Sequence, residues 1–229
     1  MNSGKNIRTR TERLSIFSHF RRRRETKLSE PSGFGLRLKR ILDIVISAIS
    51  IFLLLPAIAI IALIIRICAV KPVLAKQIML GLYQKSFRRL LFHTNETTTG
   101  AAAADIGFRL PAFNHFLQQS GFDKLPQFFN VLIGNMSIVG PRPHPPELRL
   151  GFHRCEIVIA EYRSRFHVRP GITGLAQVSG TAGCDYNVAT VVAEVEMDLR
   201  YIRERSLWLD MKIMARKLVD ELFSLEKML

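Results

Sequence analysis

Ile44–Ile65, which reads IVISAISIFLLLPAIAIIALII, decides the fold class. Its 22 residues carry no charge and present no polar face. Wound as an α-helix the run is about 33 Å long, close to the thickness of a bilayer's hydrocarbon core. A buried helix of a soluble protein is the alternative, and length with lack of charge favours the membrane. Pro56 sits in the middle of the run. Proline lacks an N–H and its ring clashes with the preceding turn, so a kink is expected there. Arg37, Lys39 and Arg40 precede the run; Arg66 and Lys71 follow it. A spanning helix usually carries its Lys/Arg excess on one side only. Basic flanks on both sides and a central proline suit a re-entrant helix, which enters one leaflet, bends and returns. The residues leave an ordinary kinked spanning helix open as well.

Outward from this segment the charge is uneven. The chain of 229 residues has 33 Lys+Arg against 19 Asp+Glu, a net charge of +14. Residues 1–40 hold 12 Lys/Arg and three acids, or +9 of that total. Ser, Thr and Gly are frequent there and no apolar period is sustained, so residues 1–36 read as a basic flexible arm. No apolar core follows within thirty residues, as a secretory signal would require. A basic arm beside a membrane helix fits anionic lipid, at about 1 kcal/mol per nearby Lys or Arg. Arginine runs also attract nucleic acid, but no recognised nucleic-acid module follows, so none is expected as a partner. Cys68, Cys155 and Cys184 are scattered, without a CxxC, which argues against a disulfide framework or a structural zinc site.

Residues 37–71 form the membrane unit and residues 72–229 a mixed globular domain. Hydrophobic residues make up 48 % of the chain, enough for a core. Thr97–Ala104 is low in complexity and reads as a surface loop. The apolar positions from Leu117 to Val131 predict a helix starting around Asp123, with Pro126 in its first turn. Gly134–Pro146 is rich in Gly and Pro and reads as a rigid, extended turn segment. Val191, Val195, Leu199 and Ile202 mark one apolar stripe of a helix within Thr190–Phe223. Ser206 is placed to cap a second segment, Leu207–Leu222. Its Trp208 is expected in core packing, with a membrane-surface helix as the alternative. No GxGxxG, Walker A, HExxH or GxSxG motif is present.

Four segments then fall in a telling order: LKRILD at Leu38–Asp43, KQIMLG at Lys76–Gly81, DKLPQFFNVLIGNMSIVGPRP at Asp123–Pro143, and VRPGITGLAQVSG at Val168–Gly180. Together they resemble the bacterial sugar transferase family, the polyprenyl-phosphate sugar-1-phosphate transferases that begin exopolysaccharide and other surface glycans. Asp198, Tyr201, Ser206 and Asp210 match the family's C-terminal spacing. The resemblance implies an α-rich fold with a minor α+β part. It implies a monotopic membrane protein, anchored by a proline-broken re-entrant helix at the cytoplasmic face of the bacterial inner membrane. It also implies transfer of a hexose-1-phosphate from a UDP-sugar to polyprenyl (undecaprenyl) phosphate.

By this resemblance Asp123 is the catalytic nucleophile. Lys76, Gln77, Gln127, Arg142 and Gln177 are substrate-binding candidates, and Pro56 breaks the membrane helix. Covalent catalysis by an Asp carboxylate splits one repulsive meeting of anions into two steps. A guanidinium such as Arg142 grips two phosphate oxygens. Taken alone, Asp123 also suits a helix N-cap and Arg142 a structural arginine.

Mg²⁺ is the cofactor the family implies, yet no residue here is assigned as its ligand. The family's Asp-Glu pair is Asp123-Lys124. At about 4 Å and an effective dielectric constant near 20, that reversed charge amounts to about 4 kcal/mol opposing a metal. Leu91, His93, Gln118 and Thr181 stand where cations are expected, Leu55 where a Ser precedes the proline, and Lys76 where an Arg is usual. An unusual transferase is one consequence; a catalytically weak relative that regulates or scaffolds polysaccharide synthesis is the other.

Overall fold

The computed structural model describes residues 33–68, 72–94, 111–150, 153–159, 161–181 and 187–226. The basic arm up to residue 32, Lys71, the Thr97–Ala104 segment and Cys184 lie outside the described residues.

The apolar run lies inside one long helix, α1, Gly33–Cys68, which continues through Pro56. It is long and apolar enough to cross a membrane by length and composition. The helix is unbroken at the proline, so the expected bend does not interrupt it. Most of its length is exposed, with Phe52 at 78 % and Leu53 at 66 %. Both of its ends are nevertheless tied to the domain. Toward the N-terminus, Asp43 and Ser47 are buried. Toward the C-terminus, Ile61 and Ile65 form a core with Phe92, Leu117 and Leu125, with Phe122 and Phe128 packed against it.

After α1, β1 (Leu74–Leu80) and β2 (Ser86–Phe92) pair as an antiparallel hairpin. Helix α2 (Pro111–Gln119) follows, and then a 3₁₀ turn at Phe122–Lys124. Helix α3 spans Gln127–Ile133. The single helix expected from about Asp123 is thus a turn followed by a separate helix. Pro126 supplies the reason: it has no N–H to continue the ladder and takes the N-cap place of α3 instead. Gly121, at φ +72°, ends the preceding segment in a left-handed conformation that suits glycine.

Strand β3 (Ser137–Val139) runs parallel to β6 (Gly171–Thr173), while β4 (Arg149–Leu150) pairs with β5 (His153–Arg154). Between these pairs lie the short helix α4 (Cys155–Val158) and a 3₁₀ segment at Tyr162–His167. Helix α5 (Leu175–Val178) follows β6. The sheets are therefore small and the fold is helix-rich.

The two C-terminal helices are α6 (Val188–Glu204) and α7 (Leu207–Glu226). Val191, Val195, Leu199 and Ile202 are all buried, as a stripe at helical spacing requires. Ser206 Oγ accepts from the Leu209 amide at 3.2 Å and caps α7. The core packing expected for Trp208 is not found: it is 65 % exposed, with the Lys212 ammonium 5.3 Å from its ring centroid. Helix α7 buries Asp210 and Ile213, leaving Trp208, Met211, Leu218 and Phe223 outward.

Candidate active site

The strand alternation of the hairpin separates two expected site residues. Successive side chains of a strand point to opposite faces, and Lys76 is exposed while Ala75 and Met79, the neighbours in register with Gln77, are buried. Gln77 accepts from the guanidinium of Arg89, its cross-strand partner. Lys76 instead lines a cavity of about 370 Å³ with Ser86, Phe87, Arg88, Leu90, Asn130, Ile133 and Asn135. Lys76 and Gln77 thus do not share one face. Asn130 fixes this cavity's wall. From within α3 it accepts from the Leu90 amide and donates to the Arg88 carbonyl, both at 2.8 Å.

Asp123 lies in the 3₁₀ turn and is 9 % exposed. Pro126 occupies the N-cap of α3, so Asp123 is not that helix's cap. Its neighbours Phe122 and Leu125 belong to the apolar core made with Ile61 and Ile65. Asp123 thus lies in a turn whose apolar neighbours enter the core that the long apolar helix shares. Gln127, the first residue of α3, is buried, whereas Lys124 is exposed and makes no salt bridge among the described residues.

Arg142 follows β3 and Gln177 follows β6, so both leave the same end of one parallel pair. Glycine makes that pair possible. A Cβ at Gly171 would lie 2.2 Å from the Gly140 nitrogen, and one at Gly174 would lie 2.3 Å from the Gly140 oxygen. The Gly-Pro-Arg-Pro turn and the Arg-Pro-Gly-Ile-Thr-Gly segment are thus in backbone-to-backbone contact.

Beneath Arg142 lies a buried polar cluster that sequence reading missed. Arg165 Nη2 donates to the Arg142 carbonyl at 2.8 Å and to Asp198 Oδ2 at 2.5 Å. Glu194 Oε1 lies 3.6 Å from the same guanidinium and 3.0 Å from His144 Nε2. The Tyr162 hydroxyl is 2.9 Å from His144 Nδ1, which also contacts Arg165. Arg165, His144, Glu194 and Asp198 are each at most 1 % exposed. Burial, with the Arg165 charge, holds the His144 imidazole down at about 4. Neutral His144 then donates from Nε2 to Glu194 and accepts at Nδ1. Burial pushes the Asp198 carboxyl up to about 7, against the pull of Arg165. Asp198 was legible as a motif match, but no spacing rule joins it to His144 or Arg165.

A second network clasps α1. Lys39 Nζ donates to Asp210 Oδ2 at 2.6 Å and to the Val139 carbonyl at 3.2 Å. Tyr201 donates to Asp210 Oδ1 at 2.8 Å, with the Val139 carbonyl 3.1 Å away. Asp43 accepts from Ser137 Oγ at 2.8 Å and from the Ile138 amide at 3.2 Å. The first and third sequence segments, with Tyr201 and Asp210, meet around β3.

With this geometry in place, comparison with known proteins is decisive. The sequence profile of the bacterial sugar transferase family matches residues 34–224. The chain belongs to this family. It is 35 % identical over 187 residues to a UDP-glucose:undecaprenyl-phosphate glucose-1-phosphate transferase of Klebsiella pneumoniae, covering 80 % of this chain and 39 % of that protein. A Xanthomonas campestris transferase of the same name is 38 % identical over 77 % of this chain and 37 % of its own length. The exopolysaccharide production protein PSS of Rhizobium leguminosarum is 35 % identical, over 81 % of this chain and 95 % of its own length. The chain thus spans well under half of the first two relatives and nearly all of the third.

The family resemblance implies Mg²⁺, and the donor set does not suit a resident ion. Among the described residues no group of three or more His, Cys, Asp or Glu side chains is placed to hold a metal. Asp123 is followed by the exposed ammonium of Lys124 rather than by a second carboxylate.

Proposed function

We propose that this sugar transferase moves a hexose-1-phosphate from a UDP-sugar to undecaprenyl phosphate, as the first step of exopolysaccharide or other surface glycan synthesis. An Asp123 oxygen attacks the phosphorus bound to the sugar, and UMP leaves. An oxygen of the polyprenyl phosphate then attacks the phosphosugar-enzyme, and the Asp123 carboxylate is regenerated. The observation that carries this reading is the seating of Asp123 between Phe122 and Leu125, whose core partners are Ile61 and Ile65 of α1. A carboxylate there meets a water-soluble donor and a lipid acceptor at one boundary. Arg142 is the phosphate-gripping cation of this proposal, with Lys76, Gln127 and Gln177 as further substrate contacts. Gln77, held by Arg89, orients that guanidinium.

The membrane helix is proposed to be re-entrant, with both flanks at the cytoplasmic face of the inner membrane. Support comes from its two ends: Asp43 and Ser47 at one, Ile61 and Ile65 at the other, are all buried against the same domain. A bilayer lying across α1 would separate those ends. The outward apolar side of α7 supports a membrane-surface position for that helix. Residues 1–40 add attraction to anionic lipid.

Lys124 favours a second reading, a weakly active family member that regulates or scaffolds polysaccharide synthesis. Release of UMP from a panel of UDP-sugars, by purified protein with polyprenyl phosphate and with or without Mg²⁺, separates the two. Asp123→Asn should abolish both UMP release and any phosphosugar adduct. Turnover that survives this change would remove Asp123 from the mechanism, and no turnover in the wild type would favour the regulatory reading.

A further inference from the structure

Two guanidinium groups converge on the C-terminal end of α3 without serving the chemistry described above. Arg40, on α1, donates from Nη2 to the Leu132 carbonyl at 3.2 Å and from Nη1 to the Met136 carbonyl at 3.4 Å. Arg169, which precedes β6, donates from Nε to the Gly134 carbonyl at 3.0 Å. Gly134 places them close together: a Cβ on it would lie 3.4 Å from Arg40 Nη2. Both cations thus sit on one residue, and the exposed Arg37 adds a third charge one turn earlier on α1.

Helix C-terminal carbonyls account for only part of this charge. A helix end carries roughly half an elementary negative charge, against two full positive ones here. Among the described residues no acid forms a salt bridge with Arg37, Arg40 or Arg169. The carboxylate on α1, Asp43, accepts from Ser137 and Ile138 and also attracts Arg40, so it offsets one of these charges in part. Arg169 is exposed and keeps both Nη groups unpartnered among the described residues. Paired guanidinium groups with spare donors match the oxygens of a phosphate monoester. Their height along α1 is equally informative. Arg40 lies four residues before Ile44, where the uncharged run begins, or about 6 Å along the helix axis. An anion held there lies at the level of lipid headgroups.

We infer that Arg40 and Arg169, assisted by Arg37, form a binding site for the phosphate of a membrane lipid whose chain lies along α1. Polyprenyl phosphate, a monoester with two ionisable oxygens, is the lipid that best fits two forks; an ordinary phosphodiester headgroup offers the same chemistry with less charge. The inference rests on the membrane reading of α1 and adds a lipid-phosphate site at the C-terminal end of α3, apart from Asp123, which precedes that helix. It does not depend on turnover.

The test is equilibrium binding to the full chain in phosphatidylcholine nanodiscs, without a sugar nucleotide. A radiolabelled polyprenyl phosphate forms one arm, phosphatidylglycerol as competitor a second, and inorganic phosphate as competitor a third. Arg169→Gln should weaken polyprenyl phosphate binding roughly tenfold, the loss of one charge-assisted pair, and Arg169→Lys should recover part of it. Arg40→Gln should act in the same direction. Because Arg40 also fastens α1 to α3, the exposed Arg169 variants keep the test decisive should that one fail to fold. Competition by phosphatidylglycerol that is lost in Arg169→Gln supports the site and assigns it to ordinary headgroups. Unchanged lipid affinity in folded Arg169→Gln, or an effect on inorganic phosphate alone, overturns the inference. A chain that does not enter nanodiscs at all refutes the membrane reading instead, and an inactive chain that binds lipid leaves the site standing.

Discussion

Replacing Gly171 by alanine tests how the third and fourth sequence segments are locked together. The added Cβ would lie 2.2 Å from the Gly140 nitrogen, 2.4 Å from the Thr173 oxygen and 2.7 Å from the Gly140 oxygen. All three obstacles are backbone, so no side-chain rotation relieves them, and β6 must move away from β3. That movement strains three hydrogen bonds: Ser137 N to Pro170 O, Gly140 N to Thr173 O, and Gly171 N to Pro141 O, each 2.9 Å long. At about 1 kcal/mol for each bond, plus about 1–3 kcal/mol of overpacking, the cost is about 4–6 kcal/mol. A domain of this size loses roughly 2–4 °C of melting temperature per kcal/mol, so the midpoint should fall by about 15 °C. Gly180→Ala is the control. Gly180 has φ +71° and nothing within 4 Å of its added Cβ, so it should cost only about 1–2 kcal/mol of backbone strain. Thermal unfolding of both variants in one detergent at one scan rate reads the difference. Equal midpoints, or a Gly171→Ala protein as stable as the wild type, would refute the interlocking of the two segments.

His144→Gln should destabilise the protein increasingly as pH rises from about 4 to 6.5. The folded-state pKa is lowered to about 4, so in that window only the unfolded chain binds the extra proton and the wild type gains stability with pH. The gap between variant and wild type should widen by on the order of 3 kcal/mol across the window, and a pH-independent gap would contradict a neutral His144. Asp43→Ala should cost about 1–3 kcal/mol by leaving the Ile138 amide without its acceptor, while Ser137 Oγ keeps the Val139 carbonyl at 3.0 Å, measurable as easier proteolysis between α1 and the domain. Lys124→Glu should alter stability by less than about 0.5 kcal/mol, since the side chain is exposed, and should raise Mg²⁺-dependent UMP release. Unaltered metal dependence would separate residue 124 from the metal.

The parts of this fold that were legible in sequence are those governed by local rules. The uncharged run gave α1, the 191-195-199-202 stripe gave α6, and Ser206 gave the start of α7. The division between the 3₁₀ turn at Asp123 and α3 was harder, because apolar spacing runs through Pro126 as though one helix were present. Trp208 was misplaced because an amphipathic pattern does not say whether its apolar side meets a core or a membrane. At the candidate site, motif identity is what proposes Asp123 and Arg142. It grouped Lys76 with Gln77, which strand alternation then parted. The cluster of His144, Arg165, Glu194 and Asp198 had no sequence signal, since its members are brought together by tertiary packing across separations of up to 54 residues, from His144 to Asp198.

Where this chain departs from its family is as informative as where it agrees. Lys39, Asp43, Gly140, Gly171, Tyr201 and Asp210 all carry family motifs, and each makes a buried bond or a backbone contact that holds α1, β3 and β6 together. Changing any of them breaks packing or leaves a polar group unsatisfied, which costs stability whatever the chemistry. Lys124 differs in kind. It is exposed, pairs with no acid among the described residues, and accepts either sign of charge without disturbing the core. A charge change at this position is therefore nearly neutral for folding. The departures read at Leu91 and His93, by contrast, are buried, yet the clasp around Val139 keeps its motif residues and its bonds, so the divergence spares the contacts that hold α1, β3 and β6 together.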